Sequence, residues 1–224
     1  MINKTVIITA GGIGKRMGAD LPKQFLEVGG LPILMHTIKR FYDLDPKAQL
    51  LVTLPADWWE FWKELCLKHN FTIPIILVQG GVERYDSIKN ALSRAGGEII
   101  LIHDGVRPFI DRNNIEQGIK IAEEKGTAIP VIPLKSSLRE GTFTESRAKD
   151  RSWFYTVQTP QIFKREIIIK GYKNPFTKTI TDDASLVEKS GQKITLFEGS
   201  ESNIKITTPL DLIIAKAILE ERVE

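Results

Sequence analysis

The residues best suited to chemistry lie in one glycine-rich stretch, Thr9–Gly18, which is closed by Leu21-Pro22-Lys23-Gln24. Glycines at positions 11, 12, 14 and 18 let the backbone turn sharply and approach a ligand closely. Backbone N–H groups in such a loop bind phosphate oxygens, and Lys15, Arg16 and Lys23 add positive charge. An apolar run that reads as a buried strand precedes the loop. The stretch therefore predicts a polyphosphate site at the end of a strand.

Two common phosphate loops do not fit this stretch. A P-loop requires Gly-x-x-x-x-Gly-Lys-[Ser/Thr], whereas Gly14-Lys15 is followed by Arg16 and the first glycine is replaced by Thr9. A dinucleotide fingerprint requires Gly-x-Gly-x-x-Gly, and Met17 occupies its third glycine position. The remaining alternative to a phosphate loop of another kind is a plain glycine turn with solvated cations, although an ordinary turn rarely needs four glycines.

A second polar segment, His103–Pro108, follows the apolar strand 99–102. Asp104 would stand at the carboxyl end of that strand, where a carboxylate beside phosphate oxygens can bind Mg²⁺. Arg107 can meet a second anionic substrate. His103 alternates with Asp104 along the strand, so we expect it to face the other way as a structural histidine.

Three further segments return to the same edge of the predicted sheet. Gly80–Ser87 follows a strand and opens a helix, with two glycines for close approach and a serine hydroxyl for hydrogen bonding. Thr159 can bond an incoming phosphate. Lys205 lies between Ile204 and Ile206 on a predicted short strand and should point away from the face that those isoleucines share.

In this order, the motifs resemble the cytidylyltransferase family of the non-mevalonate isoprenoid pathway. The resemblance runs along the chain through these segments: Gly80–Ser87, His103–Pro108, Arg151, Thr159-Pro160-Gln161, Thr181–Ser185 and Asn203–Asp211. It implies transfer of a cytidylyl group from CTP to 2-C-methyl-D-erythritol 4-phosphate with release of pyrophosphate. It also implies a homodimer in which an arm, 136–155, crosses to the neighbour's site.

Residue chemistry and this resemblance together assign the site. The predicted catalytic residues are Arg16, Lys23 and Lys205. The predicted nucleotide-binding residues are Ala10, Gly11, Gly12, Gly14, Lys15, Gly80, Gly81, Ser87 and Asp104, with Asp104 also the ligand of Mg²⁺ or another divalent cation. The predicted acceptor-binding residues are Arg107, Ser137, Arg151 and Thr159. The family usually has alanines at Gly105 and Val106, where we expect little effect, and Asp-Thr at Ser136-Ser137, where a carboxylate is lost.

Two other functions stay open at this point. A cytidylyltransferase for ribitol 5-phosphate shares much of the pattern, although Arg84–Ser87 and Thr181–Ser185 look more like the methylerythritol enzyme. A nucleotide-binding module without catalysis would not need Lys23 and Lys205 in addition to the loop. Only three histidines occur, none in a nucleophile arrangement, so the sequence favours transfer by aimed cations over acid–base chemistry.

Composition sets the broad class. The chain has 224 residues, 42% hydrophobic and 26% charged, which suits one globular domain with a sizeable core. A net charge of +3 favours small anionic substrates over nucleic acid. The lone cysteine, Cys66, excludes an internal disulfide and is consistent with a reducing compartment. The first residues run straight into a strand, and no apolar run approaches the roughly 18 residues of a membrane span, so we expect a cytoplasmic protein without a membrane partner.

Apolar strands alternate with amphipathic helices, which predicts an α/β fold: a single Rossmann-like three-layer domain with a mostly parallel sheet and a protruding β-arm. The predicted strands are Thr5–Thr9, Gln49–Leu54, Ile73–Val78, Glu98–His103, Ala128–Ile132, Lys193–Glu198 and Asn203–Ile206. The predicted helices are Pro32–Tyr42, Asp57–His69, Arg84–Ala95, Asn113–Glu124, Lys164–Tyr172, Asp183–Ser190 and Leu210–Arg222. The arm is polar and has Gly141 at a turn, which is typical of a hairpin that packs on a partner subunit.

Overall fold

The computed structural model describes residues 3–12 and 21–221, and all structural statements below concern these residues. The strands are β1 (Lys4–Thr9), β2 (Glu27–Val28), β3 (Leu31–Pro32), β4 (Gln49–Leu54), β5 (Ile76–Gln79), β6 (Ile99–Asp104), β7 (Thr127–Pro133), β8 (Leu138–Gly141), β9 (Ser146–Lys149), β10 (Tyr155–Val157), β11 (Gln161–Lys164) and β12 (Leu196–Glu198). The α-helices are α1 (Ile33–Leu44), α2 (Trp59–Lys68), α3 (Arg84–Leu92), α4 (Arg112–Lys125), α5 (Arg165–Gly171), α6 (Asp183–Lys189) and α7 (Pro209–Glu221).

The central sheet contains eight of these strands. Its hydrogen-bonded order is β10-β7-β11-β6-β1-β4-β5, and β12 also pairs with β7. Strands β6, β1, β4 and β5 are parallel neighbours, so their carboxyl ends meet at one edge. That edge carries the start of the glycine-rich loop after β1, the loop after β5, and Asp104 at the end of β6, as the pattern of apolar strands predicted.

Helices cover both faces of the sheet because its strands are apolar on both sides. On one face, Val6 and Ile8 of β1 belong to a core that also contains buried residues of α1, α2 and α4. On the other face, Ile7 of β1 packs with residues of α3, α5 and α6. A smaller core beneath α7 contains Val106, Phe109, Ile206 and Ala215. The predicted three-layer α/β fold is therefore confirmed.

The alternation of strand and helix missed one central strand. Gln161–Lys164 forms β11, which lies between β6 and β7 and runs antiparallel to both. This strand is only four residues long, and α5 follows it at once, so its sequence gives no separate strand pattern ahead of the predicted helix Lys164–Tyr172. The pairing of residues 155–164 with β7 is interrupted at Gln158–Pro160, where the Thr159–Pro160 peptide is cis.

Two local predictions were wrong. Asn203–Ile206 is extended but pairs with no described strand; instead, Ile206 donates its N–H to the carbonyl of Val106 at 3.0 Å. Helix α2 begins at Trp59, two residues after the predicted start at Asp57, which lies in a 3-10 turn that joins β4 to the helix. Even so, Lys205 is exposed and Ile206 is buried, as their alternation predicted.

The predicted hairpin is present. Strands β8 and β9 pair antiparallel and form a sheet separate from the central one. Gly141 has a φ of +136° at the turn, and a Cβ there would lie 2.2 Å from the carbonyl oxygen of Glu145, so only glycine fits. Most of the side chains between positions 138 and 149 are exposed. No helix in the described ranges has both the length and the apolar character that crossing a membrane requires.

Candidate active site

A cavity of about 400 Å³ opens at the carboxyl edge of the sheet. It is lined by residues from the ends of three parallel strands and from two later segments of the chain. These residues are Thr9, Ala10, Gly11, Gly12, Lys23, Gln24, Gly81, Val82, Glu83, Arg84, Ser87, Asp104, Val106 and Lys205. Residues far apart in sequence therefore meet where an α/β fold usually binds its ligand.

The start of the glycine-rich loop is anchored by backbone and amide hydrogen bonds. Ala10 donates its N–H to the carbonyl of Thr53 at 3.0 Å. The buried side chain of Gln24 donates to the carbonyl of Ala10 at 2.7 Å. A Cβ built on Gly12 would lie 3.8 Å from Cε of Lys23, so the lysine side chain lies beside the loop. The Pro-Lys-Gln turn thus fixes the loop and brings one cation to it.

The loop after β5 closes the opposite wall of the cavity. Ser87 Oγ accepts the N–H of Gly81 at 2.9 Å and donates to the carbonyl of Glu83 at 3.2 Å. The carboxylates of Glu83 and Asp86 form a capping box at the start of α3. Because Ser87 is buried and uses its hydroxyl inside the loop, it shapes the backbone that faces a ligand.

Asp104 is the centre of a group of charged side chains. Its Oδ2 lies 2.9 Å from the Lys205 ammonium and 3.3 Å from Nε of Arg107. Its Oδ1 lies 3.6 Å from Nε of Arg84. The two terminal nitrogens of Arg84 in turn donate to the carboxylate of Asp183, at 2.9 and 2.7 Å. One carboxylate therefore fixes three cations at the cavity wall.

These contacts decide the protonation state of Asp104. Burial alone would raise the pKa of this carboxyl, but the charges of Arg84, Lys205 and Arg107 outweigh burial and hold the pKa well below its usual range. The lowered pKa keeps Asp104 ionised at neutral pH, which suits it to holding cations rather than to exchanging protons.

His103 supports Asp104 from the backbone side. It is fully buried and packs edge-on against Phe41, with 4.9 Å between ring centroids. Its Nε2 faces the carbonyl of Arg107 at 2.9 Å and therefore carries the hydrogen, while Nδ1 accepts the hydroxyl of Thr159 at 3.0 Å. Thr159 Oγ1 also accepts the N–H of Asp104 at 3.1 Å. His103 is thus structural, as predicted, and the Thr159 hydroxyl hydrogen is already engaged.

The described residues do not form a metal site on their own. They contain no group of three or more histidine, cysteine, aspartate or glutamate side chains that could hold an ion. Both oxygens of Asp104 face cationic side chains, which would compete with a divalent cation. Asp104 as a metal ligand stays a prediction, and no step below depends on it.

The structure brings together many of the predicted site residues but not all of them. Those that line the cavity are Ala10, Gly11, Gly12, Lys23, Gly81, Ser87, Asp104 and Lys205. Gly80 lies beside it, and Arg107 and Thr159 lie behind Asp104. Ser137 and Arg151 are not among the lining residues; the Arg151 guanidinium donates to the carbonyl of Lys135. Gly14, Lys15 and Arg16 lie outside the described residues, so their predicted roles are not tested.

Arg84, Asp183 and Gln24 belong to the site but were not assigned to it from sequence. One signal could have revealed Arg84: it occupies the first turn of α3, where the helix dipole disfavours a cation unless a carboxylate compensates. Asp182, by contrast, caps α6 by accepting the N–H of Ser185 at 3.0 Å. Its neighbour Asp183 was not assigned to the site because a role at the start of α6 can account for an acidic residue at either position.

A glycine-rich loop, a second ligand-facing loop and aimed cations at the carboxyl edge of an α/β sheet define the site of a nucleotidyltransferase. Residues 4–221 match the family model for 2-C-methyl-D-erythritol 4-phosphate cytidylyltransferase. The chain therefore belongs to the 2-C-methyl-D-erythritol 4-phosphate cytidylyltransferase family.

Individual relatives agree with the family model. The chain is 44% identical to the 2-C-methyl-D-erythritol 4-phosphate cytidylyltransferase of Bacteroides thetaiotaomicron, over 97% of this chain and 100% of that protein. Among solved structures, it is similar to the 4-diphosphocytidyl-2C-methyl-D-erythritol synthase of Anaerococcus prevotii, with a TM-score of 0.82, 28% identity and coverage of 98% and 96% of the two chains. The Thermus thermophilus cytidylyltransferase has a TM-score of 0.78, 30% identity and coverage of 98% and 100%.

Proposed function

We propose that this chain transfers the cytidylyl group of CTP to 2-C-methyl-D-erythritol 4-phosphate in isoprenoid precursor biosynthesis. The products are 4-diphosphocytidyl-2-C-methyl-D-erythritol and pyrophosphate. The observation that carries the proposal is a cavity lined by the start of the glycine-rich loop together with Lys23 and Lys205, in a chain that matches this family along its length.

The reaction is a direct displacement at the α-phosphorus. An oxygen of the acceptor's phosphate monoester attacks this phosphorus, and the bond to the oxygen that bridges the α- and β-phosphorus breaks, releasing pyrophosphate. Because the second pKa of a phosphate monoester is about 6, the acceptor is mostly a dianion at neutral pH and needs no general base. This requirement agrees with a site whose central carboxylate is ionised at neutral pH.

Cationic side chains can offset the negative charge that opposes this reaction. Two anions must approach each other, and charge grows on the phosphoryl oxygens and on the leaving group in the transition state. Lys23, beside the glycine-rich loop, is suited to the triphosphate, and Arg16 is proposed to join it. Lys205 has 42% of its side chain exposed while paired with Asp104, so its ammonium can also meet the acceptor. We expect these cations to stabilise the transition state more than the bound substrates.

The loop 80–87 is proposed to read the cytosine. Gly80 and Gly81 allow close approach; at Gly81, a Cβ would lie 2.2 Å from that of Asp86. The hydrogen bonds of Ser87 hold the loop backbone in place, so the backbone polar groups can present a fixed pattern to the edge of the base. Cytosine offers an amino donor and a carbonyl acceptor, and a purine needs more room.

A divalent cation, Mg²⁺ for example, is proposed to arrive with CTP. Mg²⁺ keeps several waters and is commonly held by substrate phosphates together with one or two carboxylates. Asp104 is the candidate carboxylate, although it would have to exchange a cationic partner for the metal. The order of addition and the metal preference can be measured through the dependence of turnover on free Mg²⁺.

We also propose a homodimer in which the arm completes the neighbour's site. Ser137 and Arg151 lie outside the cavity lining of their own chain. The base of the arm exposes apolar side chains: Trp153 is 80% exposed, and Phe154, Tyr155 and Val157 are each more than 40% exposed. Such a patch favours contact with a second protein surface. Arg151 would then bind the acceptor's phosphate through its planar guanidinium. A cytoplasmic location completes the proposal, supported by the lone cysteine.

One assay tests the reaction: pyrophosphate release from each of the four nucleoside triphosphates with 2-C-methyl-D-erythritol 4-phosphate or ribitol 5-phosphate. We expect turnover with CTP and the methylerythritol phosphate, and at least about tenfold lower kcat/KM with ATP. Equal kcat/KM with ATP and CTP would refute the proposal that the loop 80–87 recognises cytosine. Preference for ribitol 5-phosphate would indicate a ribitol-5-phosphate cytidylyltransferase instead. Binding of CTP without turnover would indicate a nucleotide-binding module.

A further inference from the structure

Arg84, a cationic side chain at the cavity, contacts two carboxylates from different parts of the described chain. Its two terminal nitrogens bond the oxygens of Asp183 at 2.9 and 2.7 Å, and its Nε lies 3.6 Å from Oδ1 of Asp104. Asp104 closes β6 and Asp183 opens α6, while Arg84 itself opens α3. The guanidinium therefore joins three elements at the wall of the cavity.

The Asp183 side of this group is rigid. Only 1% of the Asp183 side chain is exposed, and its Oδ1 also accepts the hydroxyl of Tyr172 at 2.6 Å. Tyr172 in turn stacks on Tyr85 with 5.0 Å between ring centroids and 12° between planes. A bidentate pair fixes the plane of a guanidinium. Because Asp183 fixes both terminal nitrogens, the direction of Nε toward Asp104 is fixed as well.

The Asp104 side of the group leads to the proposed catalytic lysine. Arg84 approaches one oxygen of the Asp104 carboxylate, whereas Lys205 lies 2.9 Å from the other. A rotation of this carboxylate would displace the ammonium of Lys205. Lysine at position 84 would keep a positive charge but could not bond both oxygens of Asp183 and still direct a third N–H at Asp104.

We propose that Arg84 is a positioning residue for the transfer reaction: it couples Asp183 to Asp104 and, through Asp104, sets the place of the Lys205 ammonium. This inference rests on the proposed role of Lys205. Misplacement of a reacting or charge-stabilising group by about 1 Å can cost on the order of a hundredfold in rate. Losing the bidentate contact of the Arg84 guanidinium should therefore lower kcat while the KM for CTP changes much less.

The test is a double-mutant cycle on kcat/KM with Arg84→Lys and Asp104→Asn. If Arg84 acts through Asp104, Arg84→Lys lowers kcat about tenfold or more in the wild-type background and by less than about twofold in the Asp104→Asn background. Equal losses in the two backgrounds, or unchanged kcat in Arg84→Lys, would overturn the proposal. Arg112→Lys is the matched control, because Arg112 forms an exposed pair with Glu116 on α4, and it should keep wild-type turnover.

A second measurement does not depend on turnover. Acetylation of Lys205 by a dilute amine-reactive reagent such as acetic anhydride, followed by mass spectrometry, reports how firmly Asp104 holds the ammonium. We expect Lys205 to react several-fold faster in Arg84→Lys than in wild type, with Lys216 on α7 unchanged. An unchanged rate at Lys205 would overturn the coupling. If Arg84→Lys does not fold, Tyr172→Phe, which removes only the third bond to Asp183, replaces it in both experiments with the same expected directions.

Failure of this inference is distinguishable from failure of the proposed function. If Lys205→Ala keeps wild-type kcat, the proposed role of Lys205 is wrong whatever Arg84 does. If Lys205→Ala loses activity and the cycle shows no coupling between Arg84 and Asp104, only the positioning role of Arg84 is overturned.

Discussion

Lys23 is the side chain in the described part of the site that the proposed chemistry needs most directly. It lines the cavity beside Gly12, where the phosphates of a nucleotide would lie. We expect Lys23→Ala to lower kcat by about a hundredfold, on the scale of losing one preorganised donor, and to weaken CTP binding much less. Steady-state kinetics with pyrophosphate detection measure both quantities. An unchanged kcat with a raised KM would show that Lys23 contributes only uniform binding.

His103 makes the stability of the protein depend on pH. Burial lowers the pKa of His103 to about 4, from an ordinary value of about 6.5. Between these two values the unfolded chain binds the extra proton, so the free energy of unfolding falls as the pH falls from about 6.5 to about 4. Protonation would also remove the acceptor that Nδ1 offers to Thr159.

The variant His103→Asn isolates this effect, because an amide oxygen can replace Nδ1 as the acceptor and does not titrate. We expect it to be less stable than wild type at pH 7 but to lose less of its free energy of unfolding between pH 7 and pH 5. Urea denaturation at the two pH values measures the difference. His36, whose pKa burial also lowers, is present in both proteins and cancels in the comparison. Equal losses in the two proteins would contradict the assignment to His103.

At the scale of elements, the turn after β6 packs against the turn after β1. Gly105 donates its N–H to the carbonyl of Thr9 at 2.9 Å, and a Cβ on Gly105 would lie 2.9 Å from that same oxygen and 3.1 Å from Leu34 Cδ1. Since one of the crowded atoms is backbone, a side chain here requires the two turns to separate. The close approach that carries Asp104 to the loop therefore depends on glycine in this chain.

From sequence we expected little effect of glycine in place of the family's usual alanine at this position, but this crowding instead predicts that alanine would destabilise the chain. We predict that Gly105→Ala lowers the free energy of unfolding by about 1–3 kcal/mol, the usual cost of overpacking. The control is Gly12→Ala, whose Cβ would lie 3.8 Å from a flexible lysine side chain and should leave the free energy of unfolding nearly unchanged. Chemical denaturation compares them. Equal stability of Gly105→Ala and wild type would show that the turns adjust without cost.

Elements with long apolar runs were predictable from sequence, and so was the edge where they meet. Strand β1 contains a continuous buried apolar run, and helix α4 has a helical spacing of apolar residues over 14 positions, which is enough to define each of them. Strand β11 was missed because four residues give too short a pattern, and its place between β6 and β7 depends on distant partners. The segment 203–206 was read as a strand because alternation reports exposure and not pairing.

The same reasoning explains what was found of the site. The glycine-rich loop and its neighbour Lys23 indicate phosphate chemistry by residue type and spacing, and Lys205 was found from its place between two isoleucines together with the family resemblance. The pairing of Arg84 with Asp183, 99 positions apart, follows only from the packing of α3 against α6. Likewise, nothing in the sequence indicated that three cationic side chains surround the Asp104 carboxylate. The side chains that contact a carboxylate depend on the tertiary fold, so sequence alone does not reveal them.

At the scale of the whole molecule, the proposed dimer makes a prediction about mixtures. Lys23 lies at the cavity of its own chain, whereas Arg151 lies on the arm away from it. Lys23→Ala and Arg151→Ala should each be inactive. When the two are denatured and refolded together, a crossed arrangement leaves one intact site in each mixed dimer, so about a quarter of all sites should recover activity.

Two controls make this mixture decisive. Each variant refolded alone should stay inactive, and light scattering should give the mass of a dimer. Mixed dimers can be identified by placing different affinity tags on the two variants and purifying over both. Mixed dimers without recovered activity would place Arg151 in the site of its own chain, and a monomeric mass would remove the crossed arm altogether.

The group around Asp104 draws on residues 84, 104, 107, 183 and 205, so its last member is synthesised after every strand of the central sheet. A nascent chain that has reached Gly199 can already contain every strand of the central sheet. It still lacks the Lys205 ammonium and the helix α7 that covers Val106 and Phe109. Since domains begin to fold during synthesis, the sheet can form on the ribosome before the site is complete. We therefore expect stalled ribosome–nascent chain complexes ending at Gly199 to release no pyrophosphate, and activity to begin only once Lys205 and α7 have emerged from the ribosome.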